Sequence, residues 1–184
     1  YAVAKQCAVM QNPALIAPGQ HPVPMPNEMF LLSRSGLSFS AKSGRSKLDA
    51  SGDLYLSTLR MVFVTSEPGS SIQGFDLPIA TLTSESFNQP IFGANNLTGT
   101  SPPLEGSDLT EPIKWRLAFN NGGVGTFLPL FFRILSEMRR RMLQQSAPAA
   151  VAEAFTPAEA QQIVHAAFVD PSDPSKLYVS QPVQ

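Results

Sequence analysis

The chain has 184 residues and a mass of 19.8 kDa, with 43% hydrophobic residues, only 15% charged ones and a formal net charge of −1. This apolar content excludes a wholly disordered chain. The near balance of 13 Lys and Arg against 14 Asp and Glu argues against nucleic-acid binding by bulk positive charge, and the single cysteine, Cys7, excludes an intrachain disulfide framework or a multi-cysteine zinc site.

Residues 1–26 hold five of the 17 prolines, Pro13, Pro18, Pro22, Pro24 and Pro26. Proline fixes φ and removes a backbone donor, so dense proline disfavours helix and sheet interiors, and residues 1–26 are expected to form a Pro-rich leader. The chain opens at Tyr1 rather than Met, as a fragment or processed product would. The leader lacks the charged start and unbroken apolar run of a secretory signal.

Residues 27–147 are expected to form one domain. Met29–Leu32 and Leu37–Ser40 predict strand segments on either side of a Ser35-Gly36 break, the second with the apolar–polar alternation of a half-buried strand. Lys42–Lys47 predicts a small basic loop. Gly52–Ser57 and Leu59–Thr65 predict two strands rich in β-formers. Ile72–Leu77 and Ile79–Phe87 predict two more, divided by Pro78. Ile91–Gly93 and Leu97–Gly99 predict a strand with glycine irregularities, stopped by Pro102-Pro103. Ile113–Phe119 alternates strictly, with Lys114 and Arg116 on its polar face. Asn120–Gly123 predicts a turn.

From Thr126 the period changes to that of an amphipathic helix, through Phe127, Leu130, Phe131, Ile134, Leu135, Met138 and Met142, with Thr126 as its expected cap. Arg139, Arg140 and Arg141 then lie at the C-terminal end, where cations complement the helix dipole. Residues 148–184 predict a tail. Within it, Thr156-Pro157-Ala158-Glu159 is a capping box that starts a short helix from Ala158 to Phe168, with Ile163 and Phe168 on a thin apolar stripe. The longest apolar stretch, Val124 to Leu135, falls short of the ~20 residues a membrane-spanning helix needs. The net charge conceals a partition: residues 1–51 carry +3, 52–112 carry −6, 113–145 carry +5 and 146–184 carry −3. Local fields of this kind steer partners.

Several antiparallel strands followed by one helix predict a mainly β fold, a small barrel or sandwich closed by the helix. Gly52-Asp53-Leu54-Tyr55-Leu56-Ser57-Thr58-Leu59-Arg60-Met61-Val62-Phe63 resembles the GRAM-domain signature. Phe87–Thr100, above all Gln89-Pro90-Ile91-Phe92-Gly93-Ala94-Asn95, is similar to the "QPVFGANYIKGT" segment of the WW-domain-binding-protein-2 family. Arg141–Gln144 and Ala167–Pro174 match further patches of that family in the same order. The resemblance implies a pleckstrin-homology-like barrel of about seven antiparallel strands capped by one α-helix. It also implies a non-enzymatic adaptor that works through protein partners, acts as a transcriptional coactivator, and moves between cytoplasm and nucleus. In that family, Pro-Pro-x-Tyr motifs dock WW domains. This chain has none: its one adjacent proline pair, Pro102-Pro103, is followed by Leu104-Glu105. WW domains are therefore expected partners only if such a motif lies outside these residues, and truncation at Gln184 would account for its absence.

Two alternatives stand beside the adaptor: a peripheral module for phosphoinositides or other acidic lipids, and a structural subunit of a larger assembly. Candidate lipid or anion contacts are Lys42, Arg45 and Lys47 in the basic loop, and Arg139 and Arg140 on the helix. Arg60, the one cation in a strongly acidic stretch, either pairs with Asp53 or Asp76 or fixes the turn after Thr58. Phe132, Ile163 and Phe168 are candidate partner-surface residues. Gly52, Tyr55, Arg60, Phe63, Gln89, Pro90, Phe92, Gly93 and Asn95 are expected to serve turns and packing, as the structural residues of the family motifs. His21 and His165 lack the neighbours of a metal site. No catalytic residue, cofactor, metal or sequence-specific nucleic-acid contact is expected.

Overall fold

Alternation along residues 30–43 places Leu37, Phe39 and Ala41 on one face and Ser38, Ser40 and Lys42 on the other, so only one face is suited to burial. The computed structural model describes residues 10–16, 21–67, 72–103, 111–144, 168–170 and 173–178. In chain order its elements are β1 (Met10–Gln11), β2 (Leu15–Ile16), β3 (His21–Pro22), β4 (Phe30–Ser43), β5 (Ser46–Ser57), β6 (Arg60–Thr65) and β7 (Gly74–Pro78). A 3-10 turn (Ile79–Thr81) follows, then β8 (Thr83–Asn88), β9 (Asn96–Ser101), β10 (Ile113–Phe119), α1 (Val124–Gln144), β11 (Phe168–Asp170) and β12 (Asp173–Tyr178).

Strands β4 to β10 form one curled antiparallel sheet in the order β7-β6-β5-β4-β10-β9-β8, and β1 extends it beyond β7. The 3-10 turn bridges β7 and β8, which do not pair, and α1 packs against that turn. The sheet thus curls around a core of Phe39, Phe63, Phe75, Leu97, Trp115 and Leu117, and Phe127, Leu130, Phe131 and Ile134 of α1 close it. This is the expected sheet of about seven strands with one capping helix. The expected break at Ser35-Gly36 is instead a bulge inside one 14-residue strand: the pairing of β4 with β5 shifts between Arg34 and Leu37, and Gly36 takes a positive φ of 72°. Helix α1 begins at Val124, two residues before the expected cap. Thr126 therefore lies inside the helix, donates its hydroxyl to the Gly123 carbonyl at 2.9 Å and accepts a hydrogen bond from Arg34. Met142 turns out to solvent past the end of the core. The expected tail helix falls on residues 158–167, outside the described residues, and its last residue, Phe168, opens β11 instead.

Part of the proline-rich leader packs on the sheet. The Asn12 amide donates to the Gly74 carbonyl at 2.8 Å, Pro13 and Pro22 are buried, and Leu15 and Phe30 cover Tyr55, Val62 and Val64 on the side of the sheet away from the main core. The clamp for this segment is Arg60, only 4% exposed. Its Nε and Nη2 donate to both carboxylate oxygens of Glu28 at 2.8 and 2.9 Å, and Nη2 also donates to the Val23 carbonyl at 2.8 Å. Its Nη1 donates to Asp76 at 2.6 Å. Glu28 accepts in turn from the Ser57 hydroxyl at 2.6 Å and the Met25 amide at 2.7 Å. Of the two carboxylates expected for Arg60, Asp76 is a partner and Asp53 is not. Glu28, 32 residues upstream, is the second.

Two buried carboxylates share one guanidinium, so the cluster carries an uncompensated negative charge. Burial acts to lower the Arg60 pKa, but the hydrogen bond to Glu28 and the attraction of Asp76 outweigh it and hold the group above its ordinary value. Burial pushes Asp76 up to about 6; Arg60 offsets this only in part, and the Glu28 charge adds to it. The other Asp76 oxygen, Oδ1, has no hydrogen-bond partner among the described residues. An acid whose folded pKa exceeds its unfolded one favours the folded state where it is protonated. Its contribution is therefore full below about pH 4 and is lost as pH rises through about 6.

Two outcomes follow from this cluster. Arg60→Met leaves both carboxylates without their cation and is expected to lower unfolding free energy by about 3–5 kcal/mol in urea titration. Between pH 4 and 7 the native chain is expected to lose on the order of 2–3 kcal/mol relative to Asp76→Asn; parallel stability profiles for the two proteins would contradict this.

Candidate functional site

The register of the sheet assembles a basic surface that is dispersed in the sequence. Lys42 on β4 pairs with Lys47 on β5 and with Lys114 on β10, and Lys114 pairs with Thr100 on β9. Directly opposed residues share a face, so three exposed lysines stand in one row across three strands. The next row on the same face runs Asp49, Ser40, Arg116 and Thr98. Lys47 pairs with Asp49 at 2.7 Å. Beside the row, Ser84, Thr98, Thr100, Lys114 and Arg116 line an open groove of about 360 Å³.

Of the expected basic loop, only Gly44 and Arg45 form the turn. Lys42 and Lys47 belong to the strand ends, because β4 and β5 pair as far as Ser43 and Ser46. Arg45 is exposed at the tip. Lys114 and Arg116 were legible as the polar face of a strand, but not as neighbours of Lys42, since more than 70 residues separate them. Like charges directly opposed destabilise a sheet, so this arrangement suits an anionic ligand better than it suits the bare fold.

The arginines near the end of α1 are engaged within the chain. Arg139 donates to both oxygens of Glu85 on β8 at 2.8 and 2.9 Å, binding the helix to the sheet edge. Arg140 and Arg141 both donate to Glu137, at 2.5 and 2.9 Å, and hold its carboxyl below the ordinary value. Neither Arg139 nor Arg140 joins the lysine row. Phe132 is 37% exposed, with its ring edge against Phe131. Ile163 lies outside the described residues.

The motif residues divide sharply. A side chain on Gly52 would collide with the Val64 carbonyl of β6, so only glycine lets the two strands approach there. Tyr55 is buried on the outer face between His21 and Phe30, and Phe63 is fully buried in the core. Asn95 offers its carbonyl to the Phe119 amide at 2.9 Å. Gly93 takes a φ of 100°, which glycine tolerates. Gln89, Pro90 and Phe92 serve no packing role. They stand exposed on the loop of residues 89–95 between β8 and β9, and Phe92 is 91% exposed. The strand expected at Ile91–Gly93 is therefore absent. Pro90 and the positive φ of Gly93 break the ladder, and pairing resumes only at Asn96.

No family model matches the chain. It is 31% identical over 124 residues to the postacrosomal sheath WW domain-binding protein of Macaca fascicularis, a match covering 62% of this chain and 48% of that protein. It is 28% identical over 89 residues to human WW domain-binding protein 2, covering 48% of this chain and 34% of that protein. It is also 30% identical over 88 residues to a stress-induced protein of Schizosaccharomyces pombe, covering 48% and 51%. The chain spans about half the length, or less, of these curated relatives. Among solved structures, the Vps36 N-terminal PH domain superposes with a TM-score of 0.54 at 17% identity, over 72% of this chain and 96% of that one. The fold is pleckstrin-homology-like.

Replacing the middle lysine of the row by an acid turns two repulsive pairs into attractive ones. Lys42→Glu is expected to raise stability by about 0.5–1 kcal/mol, measured by chemical denaturation at low salt, with the gain shrinking as salt is added.

Proposed function

We propose that this chain, related in sequence to the WW domain-binding proteins and built on a pleckstrin-homology-like fold, is a non-enzymatic adaptor working through protein contacts. Its finer role in this reading is that of a transcriptional coactivator moving between cytoplasm and nucleus. The observation that carries the reading is relatedness over 124 residues to a protein named for binding WW domains. Residues 1–184 contain no Pro-Pro-x-Tyr, so in these residues the folded domain is the contact-making part. Tethered to a foreign DNA-binding domain, the 184-residue chain is expected to raise reporter transcription while leaving an array of isolated WW domains unbound. Background transcription would retire the coactivator role, and strong WW binding would reassign the docking element.

A second reading is supported by the lysine row: contact with acidic phospholipid through Lys42, Lys47, Lys114 and Arg116. Each cation near an anionic leaflet contributes roughly 1 kcal/mol, an attraction that salt weakens. Lys42→Glu with Lys114→Glu is then expected to weaken co-sedimentation with phosphatidylserine or phosphoinositide vesicles at least about tenfold. Equal binding by the native and doubly substituted chains rules this reading out.

A further inference from the structure

Ile91 and Phe92 are 94% and 91% exposed. Single exposed apolar side chains are ordinary on a protein surface; two large ones side by side at a loop tip are not. The base of the loop is held. The Asn95 carbonyl accepts from the Phe119 amide at 2.9 Å, the Asn96 side chain donates to the Ala94 carbonyl at 3.3 Å, and Asn88 donates to Asn96 at 3.3 Å. At the tip itself, a side chain added at Gly93 would meet nothing within 4 Å. The sheet therefore presents two apolar side chains on a fixed stalk.

The loop and the residues that flank it in sequence carry no charge. No Asp, Glu, Lys or Arg occurs from Ser86 through Leu104, and the tip is collared by the amides of Asn88, Gln89 and Asn95. Register also separates the tip from the lysine row. On β10, Lys114 pairs with Lys42 near one end, while Ala118 pairs with Asn96, at the base of this loop, near the other. The tip and the lysine row thus sit toward opposite ends of β10.

We propose that the Ile91–Phe92 tip is a wedge that enters the interface of a lipid bilayer, accepting uncharged as well as anionic lipid. A protein partner fits this surface less well. A specific protein interface covers about 800 Å² on each side, whereas the other large exposed apolar side chains, such as Ile16, Phe132 and Leu143, stand on different elements. A bilayer needs no matching shape. It takes a small convex wedge, buries the two side chains and leaves the loop amides to hydrogen-bond among the headgroups, with no charge on the loop itself to desolvate. The association is weak and reversible, since a single acyl chain already gives only marginal anchoring. The inference is independent of both readings above.

The test uses Phe92→Trp in the full chain, with native Trp115, buried at 2%, as a constant background. Phosphatidylcholine vesicles in high salt, where charge attraction is screened, are expected to shift the added emission to the blue, and bromine-labelled lipid to quench it. In flotation with the same vesicles, Ile91→Ser with Phe92→Ser is expected to lower partition roughly a hundredfold with unchanged thermal melting. The proposal is overturned by an unshifted emission at saturating lipid or by flotation that survives the double serine change. Binding seen only on anionic vesicles at low salt and lost in Lys42→Glu also overturns it, by moving the contact to the lysine row.

Discussion

Arg60 is the constraint on which the rest of the architecture depends. A guanidinium this deeply buried requires its donors to be satisfied inside the protein. Here Glu28, Asp76 and the Val23 carbonyl satisfy them. Those partners come from the leader, from the segment just before β4 and from β7, so one side chain fixes where three separate stretches meet on β6. Ser57 completes the node by accepting from the Leu59 and Arg60 amides at 3.0 and 2.9 Å while donating to Glu28. The tight β5–β6 connection and the packing of the leader are therefore one arrangement. The unbalanced second carboxylate, Asp76, makes it sensitive to pH.

With that node closed, the sheet separates two kinds of surface. Toward the β4–β5 turn, cross-strand pairing brings Lys47, Lys42 and Lys114 into one row. At the other end of β9 and β10, an uncharged loop carries Ile91 and Phe92 into solvent. The chemistry of the two differs in range: charge attraction acts over about a Debye length and fades in salt, while apolar burial requires contact and persists. Arg139, Arg140 and Arg141 belong to neither surface, because Glu85 and Glu137 already occupy them.

Much of the fold was legible in the residues. The strict alternation of Ile113–Phe119 is strand β10 to the residue, and the change of period after Thr126 announces α1. Gly52 allows β5 and β6 to approach closely, and Tyr55 and Phe63 are buried on opposite faces of the sheet. The failures share a cause. Ile91–Gly93 has strand-like composition, but apolar residues predict a strand only when a neighbour can pair with them, and Pro90 and Gly93 withdraw this run from the ladder. The Ser35-Gly36 break became a bulge because the flanking segments share one partner, β5.

The sequence by itself determined the mainly β fold with a closing helix, since side-chain period and glycine or proline position are local properties of the chain. Its motifs also carried the resemblance that the relatives bear out. Which side chains become neighbours was decided only by tertiary structure. The pairing of Glu28 with Arg60, the lysine row spanning β5, β4 and β10, and the exposure of Phe92 all depend on strand register and on what packs beyond each strand. Register is set by the summed burial of a whole face, so residues 70 positions apart can form one surface with no local signal that they will meet.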